Sequence, residues 1–459
     1  MRAWAVLLVL CGAIFLEGID VAMLNVALPA IRADLGLPTG TLSGVVSAYV
    51  LGYGGFLLLG GRAADLLGRR RMFLLWLVVF LAFSGLGGLA TEGWMLLAAR
   101  FATGVAAAFL APAGLALLTD HFPEGPRRNR ALGLYAGTAA GGFSLGLVAG
   151  GLLTAIGWRW VFFAPVIVSA LLLVAAVPLL RADEPRPRRE SFDLAGAATV
   201  TAAMLLLVHG VVRLEHGLTG ATLAVFAVAV VLLALFVRIE RRAARPLVRL
   251  AILRSPALVR TNLAALLFLA SFAGFQFMMT LYLQELRGWS ALQTGLAMLV
   301  IGIDTVLAPT LTPWLVNRFG TGRVVFGGVA SAAAAYALFL PLAPDRTYTA
   351  MLPGLLLLGL AFSLAYGPLT MAATDGVAVP EQGLAGGLLY TSIQFGTALG
   401  ISGVTALSTA GGMEGIRAGL MLPAVAALVA LGVTAGGLRR TPAPRPGDGV
   451  PSARPSASR

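Results

Sequence analysis

The sequence predicts an all-α polytopic membrane protein with fourteen transmembrane helices, and three observations carry that expectation. Only 12% of the 459 residues are charged and 58% are hydrophobic, whereas a soluble domain carries roughly 25% charged residues. The apolar residues gather in runs, among them 4–16, 72–90, 160–180 and 221–237, close to the ~20 residues a helix needs to cross hydrocarbon. Arginines, finally, alternate between the intervening loops in the way a membrane topology demands.

Helices are predicted over 4–28, 40–60, 72–90, 94–118, 130–156, 159–180, 193–212, 220–238, 257–284, 291–316, 324–341, 349–372, 384–409 and 417–437. An even count puts both termini on one side. Of the 33 basic residues, all arginine, 26 then fall in one alternate set of loops and tails and six in the other. The positive-inside rule places both termini in the cytoplasm, with the chain in the cell inner (plasma) membrane. Residues 1–16 look like a signal peptide, but the apolar stretch continues to Ala30 without a small-residue cleavage site. They are read as an uncleaved first helix. Residues 238–254 mix arginines with Pro246, Leu247 and Leu250; a strap along the inner lipid surface and a solvated linker are both open. The Pro- and Ser-rich tail from Thr441 is expected to be disordered.

A net charge of +13 suggests nucleic acid at first sight. The excess is spread over short loops and not over one face, so no nucleic-acid partner is expected. The absence of lysine removes a Walker A loop and a pyridoxal Schiff base, so no ATPase of this chain's own drives it. A single cysteine, Cys11, forbids an internal disulfide, and three histidines suggest no metal cluster. No cofactor and no metal are expected. The Ala-, Gly- and Arg-rich composition points to a GC-rich bacterial genome.

An internal repeat organises the chain. GGRAADLLGRRR from Gly60 aligns with TPWLVNRFGTGR from Thr312, so that Asp65, Gly68 and Arg71 meet Asn317, Gly320 and Arg323, each 252 residues apart. Six helices with their loops occupy about 180 residues here, and the remainder is the length of two more. The division expected is a six-helix bundle over 1–180, an inserted helix pair with linkers over 181–256, a second six-helix bundle over 257–438 and a tail over 439–459. Parallel repeats of this kind build a site at the bilayer midplane.

The residues resemble the major facilitator superfamily, in particular its fourteen-helix drug:proton antiporter branch. Gly61, Ala64, Asp65, Gly68, Arg69 and Arg70 satisfy the signature of the loop between the second and third helices. The run from Asp20 through Asn25 to Pro29 is similar to the branch's first-helix motif. Arg100 with Gly104 matches a third motif, with Thr103 in place of the usual glutamine. Gly137, Gly141, Gly142, Gly146, Gly150 and Gly151 resemble the antiporter motif of the fifth helix, with Leu147 where a proline is usual. Trp158, Arg159 and Trp160 and the PEQGLAGGLL run from Pro380 are also similar. The resemblance implies two six-helix bundles with two extra central helices. It further implies a proton-coupled exporter of amphipathic or cationic small molecules, a gating role for the Gly61–Asp65–Gly68–Arg69–Arg70 motif, and a monomer. Uptake symport on the same fold, or a non-transporting sensor, are the alternatives.

The residues themselves leave several pairs of readings open. Glycines four apart let membrane helices approach closely, either as a rocking surface or as fixed packing. Asp65 can cap the third helix while Arg69, Arg70 and Arg71 meet lipid headgroups. Glu17 and Asp20 lie three apart on one face of the first helix, where two neighbouring carboxylates disfavour double ionisation, so one can hold a proton. Asp20 and Arg100 sit at similar predicted depths, ~12 Å and ~9 Å from their helix ends, as a coupling pair or a purely structural one. Asp304, in the middle of the tenth predicted helix, is a second proton or cation-recognition site, or a polar group satisfied by its neighbours. Glu17, Asp20 and Asp304 are therefore the proton-coupling candidates. Asn25, Arg100, Phe272, Gln276 and Gln394 are the candidate cavity and substrate contacts. Phe268, Phe272, Phe275, Met279 and Tyr282 form a soft wall for bulky substrates or ordinary packing. His209 is expected at the interface. Gly142-Phe143-Ser144-Leu145-Gly146 fits a hydrolase elbow in letters only, because the elbow needs a strand before it.

Overall fold

The computed structural model describes residues 2–37, 39–122, 126–181, 194–213, 217, 219–242, 252, 254–375, 377, 382–408 and 411–438. Among them there is no strand. The helices are α1 (Arg2–Leu35), α2 (Thr39–Leu67), α3 (Arg69–Gly88), α4 (Gly93–His121), α5 (Pro126–Ile156), α6 (Trp160–Leu179), α7 (Leu194–Arg213) and α8 (Gly220–Glu240). They continue as α9 (Pro256–Leu281), α10 (Ala291–Met298), α11 (Asp304–Phe319), α12 (Thr321–Phe339), α13 (Tyr348–Thr374), α14 (Gln382–Leu407) and α15 (Gly412–Leu438). A π-helical turn, Tyr282–Leu286, prolongs α9, and a 3-10 turn, Leu299–Ile303, joins α10 to α11. Among the described residues, eleven helical spans are long and apolar enough to cross a membrane; α2 and α7 carry shorter apolar stretches, Gly44–Leu57 and Ala195–Leu207. Most of the expected Arg238–Arg254 strap lies outside the described residues, and the tail from Thr441 lies wholly outside them.

Helix packing follows one scheme twice. In the first half α1 packs on α4, α5 and α6, α2 on α4, and α3 on α4 and α6. In the second, α9 packs on α13, α14 and α15, α11 on α13, and α12 on α13 and α15. The halves meet where α2 lies on α14 and where α5 lies on α10 and the 3-10 turn, while α7 packs on α8, α2 and α14.

The aligned glycines of the repeat have the same conformation. Gly68 has φ 103° and Gly320 φ 82°, and each alone separates two helices. A positive φ is cheap only for glycine, which accounts for that residue at both places. The sequence reading put Gly61 and Asp65 in a loop. Both are helical, because α2 runs on to Leu67 and the whole turn is Gly68. Asp65, read as a cap for α3, lies inside α2 and its side chain is outside the described residues. Arg69 and Arg70 hold protein where headgroup contacts were expected. Arg69 pairs with Asp120 of α4, and Arg70 donates to the Val177 carbonyl of α6 at 2.9 Å. Carbonyls near a helix C-terminus have no partner within the helix, so an arginine there is favourable.

Two apolar cores form. One joins residues 6–16 of α1 to the facing parts of α2, α3 and α4. The other joins residues 22–31 of α1 and 42–46 of α2 to α9, α12, α13 and α14. The halves thus share a core towards the face where α1 ends and α2 begins, called the distal face below. Polar contacts reinforce that closure. Arg32 of α1 pairs with Glu285 at 2.7 Å, and the Gln284 side chain donates to the Val26 carbonyl at 3.0 Å. The first helix was expected to end near Leu28; it runs through Pro29 to Leu35, and the added turns supply these contacts. Asp34, in the last of them, accepts from Trp158 and Arg159, both at 2.9 Å, which fixes the α5–α6 turn to α1.

Candidate functional site

A lone charge in a membrane interior is costly, and the structure gives Arg100 two partners. Its guanidinium donates to the Asp20 carboxylate at 2.6 Å and lies over the Tyr49 ring, 4.5 Å from the centroid. Arg100 is 1% and Asp20 2% exposed. Among the described residues the Arg100 Nε has no hydrogen-bond partner. Local packing sets this geometry. A Cβ at Gly104 would strike the Tyr49 backbone, so glycine there lets α2 close onto α4 and brings the Tyr49 ring under the arginine. Thr103, the departure from the family motif, donates to the Arg100 carbonyl at 3.0 Å and adds no contact to the guanidinium.

Glu17 sits one turn along α1 from Asp20, half-buried, within electrostatic reach of it. Five of the chain's eight tyrosines lie within electrostatic reach of Glu17: Tyr49 and Tyr53 of α2, Tyr135 of α5, Tyr366 of α13 and Tyr390 of α14. Both halves therefore contribute to one polar aromatic cluster. Tyr366 stacks on Phe362 at 4.9 Å between centroids, and Phe362 meets Phe272 of α9 at 4.7 Å. Gln276, one turn on, is buried, and among the described residues its amide nitrogen has no partner. Phe272 is packed in the apolar core beside it. Phe275, Met279 and Tyr282 are core: Phe275 packs on Tyr336 and Phe339, and the Tyr282 hydroxyl donates to the Ala343 carbonyl.

Sequence reasoning missed Tyr53, Tyr135, Phe362, Tyr366 and Tyr390. Tyr49 with Tyr53 and Phe362 with Tyr366 are four apart, a helical signal, yet nothing in the sequence says that Tyr49, Tyr53 and Tyr366 come near Glu17. Gln394 of α14 is buried where that helix touches Gly54 of α2. Asn25 is half-buried on α1. His209 is exposed on α7.

Asp304 lies elsewhere, at the start of α11. The tenth predicted helix was read as continuous; it tightens to a 3-10 turn, and Asp304 opens α11. Its carboxylate lies 3.4 Å from the hydroxyls of Ser144 and Thr305. Ser144, inside α5, is thus a partner of Asp304 and no elbow nucleophile.

The fifth-helix glycines divide. Gly142, Gly146 and Gly150 face α1, where a Cβ would meet the backbone of Phe15, Ile19 and Met23. These three are a packed seam inside one half. Gly151 faces Leu292 of α10 and Gly141 faces Thr305 of α11, across the two halves, and Gly137 faces open space.

Residues 10–401 match the family model of the Major Facilitator Superfamily. The chain is 38% identical over 413 residues to the cephamycin export protein CmcT of Amycolatopsis lactamdurans, covering 87% of this chain and 84% of that protein. It is 35% identical over 417 residues to the puromycin resistance protein pur8 of Streptomyces alboniger, covering 89% and 82%. The crystal structure of the human organic anion transporter MFSD10 (TETRAN) has TM-score 0.66 at 17% identity, over 94% of this chain and 98% of that one, a likeness of fold.

Proposed function

Because this chain belongs to the major facilitator superfamily, we propose that it is a proton-coupled exporter of small amphipathic or cationic compounds, working by alternating access. It is a membrane transporter and not an enzyme. Relatives named for cephamycin export and puromycin resistance support the outward direction. On this reading α10 and α11 count as one span of fourteen, residues 1–180 and 257–438 form the two bundles, 181–256 the inserted pair and 439–459 a cytoplasmic tail. The protein sits in the inner membrane as a monomer with both termini cytoplasmic and the distal face outside.

The observation that carries the reading is the Asp20–Arg100 pair lying one turn from Glu17 and its tyrosines. Protonation of Asp20 removes its attraction for Arg100, so a proton arriving from outside loosens α1 from α4. Glu17 receives the substrate's positive end, while the aromatic run through Tyr366, Phe362 and Phe272 takes its apolar part. The test is uptake of labelled compounds by inside-out vesicles with an imposed pH gradient, acid inside. Accumulation that collapses with a protonophore is expected. Equal uptake with and without the gradient rules out proton coupling.

A further inference from the structure

Asp304 is buried at 6% exposure, and among the described residues no arginine or histidine pairs with it. An isolated carboxylate at such a place costs several kcal/mol unless something compensates it. Its immediate surroundings have an unusual shape. One oxygen of Asp304, the Ser144 hydroxyl and the Thr305 hydroxyl form a triangle with sides of 3.4, 3.2 and 3.4 Å.

O–H···O bonds settle near ~2.7–2.8 Å, so all three sides are long for hydrogen bonds. They have another natural length. Oxygens held at about 2.4 Å from a hard cation in an octahedral shell lie about 3.4 Å from one another. The triangle is thus the size of one face of a cation's oxygen shell. Local packing maintains it: a Cβ at Gly302 would strike the Ser144 side chain, so glycine there admits the hydroxyl to the group. The α-helix also gives way to a 3-10 turn, Leu299–Ile303, immediately before Asp304. Interrupted membrane helices are where backbone carbonyls join the coordination of Na⁺.

We propose that Asp304, Ser144 and Thr305 form a site for a monovalent metal cation of sodium size, held between α5 of one half and α11 of the other. Charge selects the valence. One carboxylate and two neutral hydroxyls become neutral with a monovalent ion, whereas a divalent ion leaves net positive charge in the membrane interior. The short sides of the triangle favour sodium over the larger potassium. An ion bound there ties the two halves together, so it stabilises the conformation in which α5 meets α11 and biases the transport cycle. Gly141 against Thr305 and Gly302 against Ser144 are contacts of that same conformation.

The test is binding, independent of any exported compound, so it stands or falls separately from the export reading. Thermal unfolding of the purified full chain in lipid nanodiscs is followed as NaCl replaces choline chloride at constant ionic strength and fixed pH. A saturable rise in midpoint with NaCl, smaller with KCl, is expected, since a ligand of the folded state stabilises it by mass action. Asp304→Asn abolishes the rise. Ser144→Ala and Thr305→Val, milder changes that guard against a misfolded Asn variant, each raise the NaCl needed for half the effect by about tenfold. Equal midpoints in NaCl and choline chloride overturn the proposal. So does a sodium response that Asp304→Asn and Ser144→Ala both retain. Stabilisation by acid alone, lost in Asp304→Asn, overturns it in favour of a proton site.

Discussion

The Arg100 guanidinium and the Asp20 carboxylate meet at 2.6 Å across the seam of α4 and α1, both almost completely buried. Removing one member of such a pair is severe, about 3–5 kcal/mol, because the other charge is stranded. Arg100→Ala is therefore expected to lower the yield of folded protein sharply in fluorescence-detected size exclusion. Asp20→Asn keeps a polar partner and the Tyr49 ring beneath the arginine; it is expected to fold and to lose proton-driven efflux. Full efflux by the Asn variant at normal expression excludes Asp20 from coupling.

The cluster around Glu17 predicts charge selectivity. A carboxylate with five tyrosines in electrostatic reach favours a cation over an anion of equal size. Glu17→Gln removes a charge-assisted contact worth ~1.5–3 kcal/mol, so cationic substrates should weaken by about tenfold or more and neutral ones little. Competition among size-matched cationic, neutral and anionic dyes reads this directly. Equal inhibition by all three means that the carboxylate serves protons alone.

The divided glycine ladder separates two kinds of position on one helix. Gly146→Ala places a methyl against Ile19 and Ala22, and overpacking of that sort costs about 1–3 kcal/mol. Gly137→Ala meets nothing and should stay within about 0.5 kcal/mol of wild type. Unfolding midpoints in detergent compare them. Equal losses at both positions mean that the α1–α5 seam does not hold as described.

Gly68 and Gly320 make equivalent turns, so they should respond alike. Alanine at either place holds a backbone conformation that costs of the order of 1–3 kcal/mol. Turnover is expected to fall in both variants while equilibrium substrate binding persists, because both turns lie at helix ends away from Glu17. Asp65→Asn, in the turn of helix just before Gly68, is expected to act the same way. Lost binding with unchanged turnover contradicts this.

Arg32 and Glu285 tie the halves at the distal face with side chains about one-third exposed. An exposed pair is worth at most about 1 kcal/mol, which still changes a conformational ratio about fivefold. Arg32→Glu or Glu285→Arg alone should widen the separation of spin labels at Ala33 and Leu286, and the double exchange should restore it. Unaltered distances in both single variants mean that apolar packing closes this face unaided.

How far the sequence reached depends on whether a contact is signalled within one helix or needs two. Asp20 with Arg100 was legible because buried charges must pair, although the depth agreement rested on a first helix that ended too soon. The 252-residue offset was legible as a repeat, but residue letters did not reveal that one glycine was the whole turn. The tyrosine cluster was not legible. Its members come from four helices, and each looks like an ordinary membrane-helix aromatic until packing brings it near Glu17. Nor was the 3-10 turn before Asp304, since 291–316 reads as one continuous helix.

The core shared by residues 22–31 of α1, 42–46 of α2 and the second half has a physiological corollary. On the proposed export reading that face is the exit, and interlocked side chains seal it. The carrier would then behave as a rectifier. Compounds already expelled would find no standing aperture through which to seep back, and proton motive force would be spent only on the strokes that break that seal.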